Sequence, residues 1–308
     1  MKKIFGFIRY SILVDNTEGS AWGMGRNISY GKLKEELFSE TRLKQRGFLF
    51  ENFTLPSLAS LQSQDHELRI FILTSELLPA WHMDYLNRLK QDYPFIEIYP
   101  VDTKIGSMQK GVEKIINERV PDNEVYCTFR IDDDDALSLS FIQDLKKYIE
   151  EPYVGMGITF PLGYSGYFDY EKEKITLYGE TYIPMTSQGL SLISRKGCRY
   201  PHIFSLIESH TKDGHRRIDS QVPVILHSKN HSYFRVLHER ASLYFGKSSG
   251  QKLYRTSKKL QRPAVVDDIV NEINISRDLF VDNDGQLIDR PRSLIMKLKR
   301  KVQRLIQK

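Results

Sequence analysis

Residues 125–135 read Val125-Tyr126-Cys127-Thr128-Phe129-Arg130-Ile131-Asp132-Asp133-Asp134-Asp135. The first seven alternate as a half-buried β-strand does, with Val125, Cys127, Phe129 and Ile131 on one side and Tyr126, Thr128 and Arg130 on the other. Such a strand hands its carboxylates to its C-terminal edge, which is where open α/β sheets bind ligands. Unit charges ~4 Å apart interact by ~1 kcal/mol even in bulk water. Adjacent aspartates therefore splay into solvent, take up protons or share a cation. Hard carboxylate oxygens favour magnesium, manganese or calcium over zinc. Side chains alternate along an extended chain, so either Asp132 and Asp134 or Asp133 and Asp135 point together.

The plainer reading is an acidic turn at the mouth of the next helix. Ser140 and Gln143 resemble a capping box, and Phe141, Ile142, Leu145, Tyr148 and Ile149 keep helical spacing. The strand-end position favours a metal over that reading. A calcium loop of the EF-hand type is excluded, because counting from Asp132 puts Leu137 at the required glycine and Gln143 at the required bidentate glutamate.

Outward from this strand, apolar strand-like runs alternate with helical ones. Lys3 to Ile8, Arg69 to Leu73 and Phe95 to Val101 read as strands. Helices are expected near Thr54-Leu55-Pro56, near Pro79 and near Ser107. This alternation predicts βαβ units and a largely parallel sheet, with the aspartates ending the fourth strand.

Three stretches carry a family resemblance: Arg46-Gly47-Phe48-Leu49-Phe50-Glu51-Asn52-Phe53-Thr54-Leu55-Pro56-Ser57-Leu58 with Gln62, then Ile72-Leu73-Thr74-Ser75 with Leu78-Pro79, then Arg130 to Leu137. Together they resemble the bacterial putative rhamnosyltransferase family, which is similar to glycosyltransferases of the GT-A fold. The likeness runs to about Ser242. Near its end, Tyr233-Phe234-Arg235-Val236-Leu237-His238 resembles the family's late strand ending in histidine. Where the family tends to continue with glycine and asparagine, this chain has Glu239 and Arg240.

The resemblance implies a GT-A-like α/β fold, a mostly parallel sheet flanked by helices. It also implies transfer of a sugar, rhamnose by the family's name, from a nucleotide-sugar donor to a bacterial surface polysaccharide acceptor. A divalent Mn2+ or Mg2+ would offset the charge that develops on the leaving diphosphate. The expected metal ligands are Asp134, Asp132, Asp135 and His238, with His227 the alternative histidine. The nucleotide-sugar would meet Arg130, Asp132, Asp133 and Lys110. An inverting transferase also needs a base for the acceptor hydroxyl, and Glu208, Asp219 and Glu180 lie in the expected acceptor half. The rival readings are another metal-dependent nucleotidyl transfer and a non-catalytic glycan-binding protein on the same fold.

Other motifs fail. Phe245-Gly246-Lys247-Ser248 lacks the earlier glycine of a phosphate loop, which falls on Ala241, and Gly155-Met156-Gly157 has Phe160 where a dinucleotide fingerprint needs glycine. Two cysteines, Cys127 and Cys198, make neither a zinc site nor a disulfide framework and suit a reducing, cytoplasmic setting. At 308 residues and 40% hydrophobic content the chain can bury a full core. No apolar run reaches the ~20 residues that span a bilayer. Asp15 to Asn27, which contains Trp22, reads as a surface loop able to close over a ligand.

The expected organisation is a transferase domain over residues 1–245, with a donor half to about 150 and an acceptor half after it. A helical extension follows over 246–308. Net charge is +6, but residues 292–308 hold seven basic residues and no acid, and the remainder holds 38 basic against 39 acidic. Leu294, Ile295, Leu298, Val302, Leu305 and Ile306 share one helical side, so the tail reads as a basic amphipathic helix suited to an anionic membrane surface. This places the protein peripherally on the inner face of the cytoplasmic membrane, near a lipid-linked glycan acceptor. The nearly neutral body argues against nucleic acid.

Overall fold

The computed structural model describes residues 1–15, 29–104, 106–207, 214–239 and 260–281. Its centre is a seven-stranded sheet that starts from β1 (Lys2–Tyr10), β2 (His66–Ser75), β3 (Ile96–Val101) and β4 (Val125–Asp132). It is completed by β6 (Gly157–Thr159), β9 (Leu190–Arg195) and β10 (Val224–Leu226), in the order β10-β6-β9-β4-β1-β2-β3. β1 pairs parallel with both β2 and β4, and β2 pairs parallel with β3. β9 alone runs antiparallel, between β4 and β6. This is the mostly parallel sheet flanked by helices that the sequence predicts.

Helices cover both faces, and so the central strands are apolar throughout rather than alternating. On one face Leu43 of α2 (Glu40–Leu49), Leu58 of α3 (Leu55–Ser60), Leu86 of α4 (Ala80–Asp92) and Phe141 of α6 (Leu139–Leu145) pack on Ile8, Ile70 and Phe129. On the other, Val112 of α5 (Ser107–Arg119) and Phe204 of α7 (Ile203–Ile207) pack on Phe7, Phe71, Tyr126 and Leu192. The reading of β4 as half-buried is thereby corrected. Tyr126, Thr128 and Arg130 are as buried as Cys127, Phe129 and Ile131, because β4 lies between β1 and β9 with helices above and below. α1 (Tyr30–Leu37) precedes α2 and is capped by the Ser29 side chain. The capping box expected at Ser140 is also displaced: α6 starts two residues earlier, with Ser138 at its N-cap.

A second sheet, in the order β5-β11-β7-β8, comprises β5 (Ala136–Leu137), β7 (Leu162–Asp169), β8 (Lys174–Tyr182) and β11 (Tyr233–His238). β5 follows the aspartate run directly and pairs antiparallel with β11 through Leu137–Tyr233 and Ala136–Phe234. Residues 260–281 pack on this sheet. Ile269 and Ile273 of α8 (Val266–Ile273) join Phe53, Phe168 and Phe234 in a third apolar cluster. The expected amphipathic helix at 292–308 and the loop from residue 16 to 27 lie outside the described residues.

Candidate active site

The four aspartates turn the chain from β4 into β5. The Asp135 N–H donates to the Asp132 carbonyl at 3.3 Å, closing a tight turn with Asp133 and Asp134 at its tip. The expected alternation holds. Asp133 and Asp135 are 1% and 2% exposed, whereas the Asp132 and Asp134 side chains are 33% and 21% exposed.

Each carboxylate has its own partner. Asp133 accepts a two-pronged hydrogen bond from the Arg46 guanidinium, reaching across from α2. Burial drives the Asp133 carboxyl upward, with Asp134 and Asp132 adding to the push, while Arg46 opposes it. Burial disfavours charge on Arg46 as well, but Asp133 outweighs it and holds the guanidinium charged. Bidentate pairs of this kind are among the stronger polar contacts. Asp135 accepts from the Val236 N–H at 2.9 Å and from the Gln188 side-chain amide. Burial, then Asp134 and Asp132, push its carboxyl well above the ordinary range.

Asp132 lies among cations. Arg130 donates to it at 2.5 Å, Arg9 lies 3.6 Å away, and the Ser187 hydroxyl is at 3.4 Å. Burial acts to raise the Asp132 carboxyl, but the two arginines overcome it and hold it far below the usual range. His215, in the 3-10 segment Gly214–Ser220, feels the same group: burial first and Arg130 second lower its pKa to about 3, against the pull of Asp132.

Asp134 faces His238, the last residue of β11. The imidazole Nε2 is 2.9 Å from Asp134 Oδ2, and the other ring nitrogen, Nδ1, is 3.0 Å from the Tyr170 hydroxyl. A ring engaged at one nitrogen and aimed by the other is how metal-ligating histidines are held. The carboxylate oxygen suits either Mn2+ or Mg2+, and a nitrogen beside it favours Mn2+ of the two, with further positions left to water and phosphate oxygens. Among the described residues no three His, Cys, Asp or Glu side chains form a ready-made cage.

Of the remaining expected site residues, His227 and Glu180 are engaged by other partners. His227 contacts Tyr148 at 2.7 Å and Asp144 at 3.2 Å, away from the aspartate turn. Lys110 is exposed in the first turn of α5 and is not among the partners of the aspartates. Asp219 is exposed in the 3-10 segment. Glu180 pairs with His231 at 3.0 Å on β8. Glu208 lies outside the described residues.

Arg46, Arg9, Gln188, Tyr170 and His215 were not singled out as site residues from sequence. Arg9 had a legible signal, since it directly follows a predicted strand and its register partner in β4 is Asp132. Gln188 had none: it reaches Asp135 because Gly189, at φ 68°, turns the chain into β9 and donates its N–H to the Arg130 carbonyl.

Residues 3–242 match the model of a family described as putative rhamnosyl transferase. No curated protein matches the chain. Among solved structures, S. aureus TarS in complex with UDP-GlcNAc is similar at 10% identity and a TM-score of 0.43, over 95% of this chain and 73% of that one. The mannosyltransferase PcManGT from Pyrobaculum calidifontis, in complex with GDP-Man and Mn2+, is similar at 9% identity and a TM-score of 0.40, over 83% and 61%. The inositol-1-phosphate CTP transferase from T. maritima is similar at 12% identity and a TM-score of 0.34, over 85% and 98%.

Proposed function

The chain belongs to the rhamnosyl transferase family and is a glycosyltransferase, and from that premise we propose that it moves a sugar from a nucleoside-diphosphate donor with the help of Mn2+ or Mg2+ held by Asp134 and His238. The observation that carries this reading is the 2.9 Å approach of those two side chains. They come from different elements, 104 residues apart, and meet at the C-terminal edge of the central sheet. A bound divalent ion there would neutralise charge building on the departing diphosphate.

The chain's own residues do the rest. Arg9 and Arg130 keep Asp132 ionised at the rim, where its free lone pairs can accept hydrogen bonds from a sugar or ribose hydroxyl. The same arginines supply positive charge beside the path of a phosphate. Tyr170 orients the His238 ring. Rhamnose is the donor sugar that the family name supports, and a growing bacterial surface polysaccharide is the proposed acceptor. A lipid-linked form of that acceptor would be met at the inner membrane face through residues 292–308. Asp219 and Glu208 remain the proposed candidates for the acceptor base.

A thermal-shift panel of nucleotide sugars, with and without Mn2+, tests the reading. A ligand bound only by the native state stabilises it by about 2.7 kcal/mol at 100 times its Kd. The expected result is a Mn2+-dependent shift with one nucleoside-diphosphate sugar. No shift with any member of a panel that includes rhamnose donors would count against it.

A further inference from the structure

We propose that Asp135 is a positioning residue, whose buried carboxylate fixes β11 against the aspartate turn so that His238 meets Asp134. The proposal rests on the reading of Asp134 and His238 as the metal pair and deepens it, since it gives the fourth aspartate a task other than ligation.

The backbone pairing that should align these elements is short. β5 and β11 share only Leu137–Tyr233 and Ala136–Phe234. Beyond Phe234 the pairing with β5 stops, while β11 runs on to His238 paired along its other edge with β7. Between the ladder and the histidine, the link from β11 to the turn is the Val236 N–H, which donates to Asp135 Oδ1 at 2.9 Å. Val236 and His238 are two residues apart on one strand, so their side chains share a face. The β7 ladder holds β11 within its own sheet, and fixing the backbone at Val236 ties that strand to the aspartate turn, at the height where the imidazole meets Asp134.

The other oxygen of Asp135 is also in use. Oδ2 accepts from the Gln188 amide, and the carbonyl oxygen of that amide accepts the Thr186 hydroxyl. One carboxylate thus joins three pieces of chain: the turn after β4, the strand β11 and the loop before β9. With 2% of the residue exposed and a hydrogen bond to each oxygen, Asp135 is a clamp. Asp134 has the opposite character, with its side chain 21% exposed and turned toward the imidazole.

Asn keeps an acceptor for the Val236 N–H and puts an NH2 donor where Oδ2 accepted the Gln188 amide, which Gln188 meets by turning its own amide over; Ala removes the clamp. Two readouts are needed: Mn2+ affinity by electron paramagnetic resonance of the free ion, and hydrogen exchange at the Val236 amide. Asp135→Ala should speed exchange at Val236 and lower Mn2+ affinity about 10- to 100-fold, as loss of groups behind a metal ligand does. Asp135→Asn should stay close to wild type in both, whereas Asp134→Asn and His238→Ala lose Mn2+ without loosening the Val236 amide. If Asp135→Asn loses Mn2+ as fully as Asp134→Asn, Asp135 is a ligand and the proposal is overturned. Unchanged Val236 exchange in Asp135→Ala overturns it too. Should Asp135→Ala fail to fold, the Asn comparison still decides. If neither Asp134→Asn nor His238→Ala affects Mn2+, it is the metal reading that has failed, and Val236 exchange reports separately whether the clamp exists.

Discussion

At the scale of single residues, the buried histidines give the protein a defined pH response. Burial, with Arg46 nearby, lowers the pKa of His82 to about 4, and burial lowers that of His202 to about 4 as well. His82 lies 2.7 Å from the Tyr10 hydroxyl and is stacked between the Tyr10 and Tyr85 rings, so it folds neutral. An unfolded histidine titrates near 6.5, so between that pH and about 4 the unfolded chain binds protons that the folded one does not. The stabilisation is therefore complete above pH 6.5 and is lost as pH falls toward 4, by up to about 3 kcal/mol for each ring. Melting temperature against pH should drop across that window, and His82→Gln should flatten the drop. An unchanged slope in the variant would show that His82 takes no part. The aspartates show what sequence can and cannot say at this scale. Alternation predicted that they would face two ways. Which pair turns inward depended on Arg46 and Gln188, partners 87 and 53 residues away along the chain.

The elements were legible where apolar patterning set them. β1 and β2 enclose the predicted strands, β3 falls one residue short of its own at Phe95, and the helices near Pro79 and Ser107 are present. Boundaries were less legible, because strands end where neighbours stop pairing, as β2 does at Ser75 against Val101. The second sheet was the larger omission. Its strands β7 and β8 carry Gly163, Gly166 and Gly179, which break the apolar run that marks a strand. Glycine has a different role in β1. A Cβ on Gly6 would lie 2.6 Å from Ile70 Cδ1 and would also collide with the Phe129 ring. The absent side chain leaves room for Phe129 in the strand that carries the aspartates. Gly6→Ala should therefore cost about 1–3 kcal/mol by overpacking, measured as a lower urea midpoint with an unchanged slope. A variant as stable as wild type would mean that Phe129 moves aside freely.

For the molecule as a whole, charge is divided between a nearly neutral body and a basic end. Residues 292–308 carry seven lysines and arginines, and each near an anionic surface contributes ~1 kcal/mol. Full-length protein should co-sediment with anionic liposomes at low salt and be released at high salt, while a chain lacking 292–308 should stay in solution. Equal sedimentation of the two would contradict membrane contact by the tail. The site itself sits at the other level of this organisation, where the first sheet ends and the second begins. Its assembly depends on β4, β11 and the loop before β9 converging on one turn. The most direct test of the account is calorimetric titration of the donor's nucleoside diphosphate, with and without Mn2+, into wild type and Asp134→Asn. Wild type should bind measurably only when Mn2+ is present, and Asp134→Asn should lose that dependence while melting as wild type does. Equal, Mn2+-dependent affinity in the two proteins would contradict it.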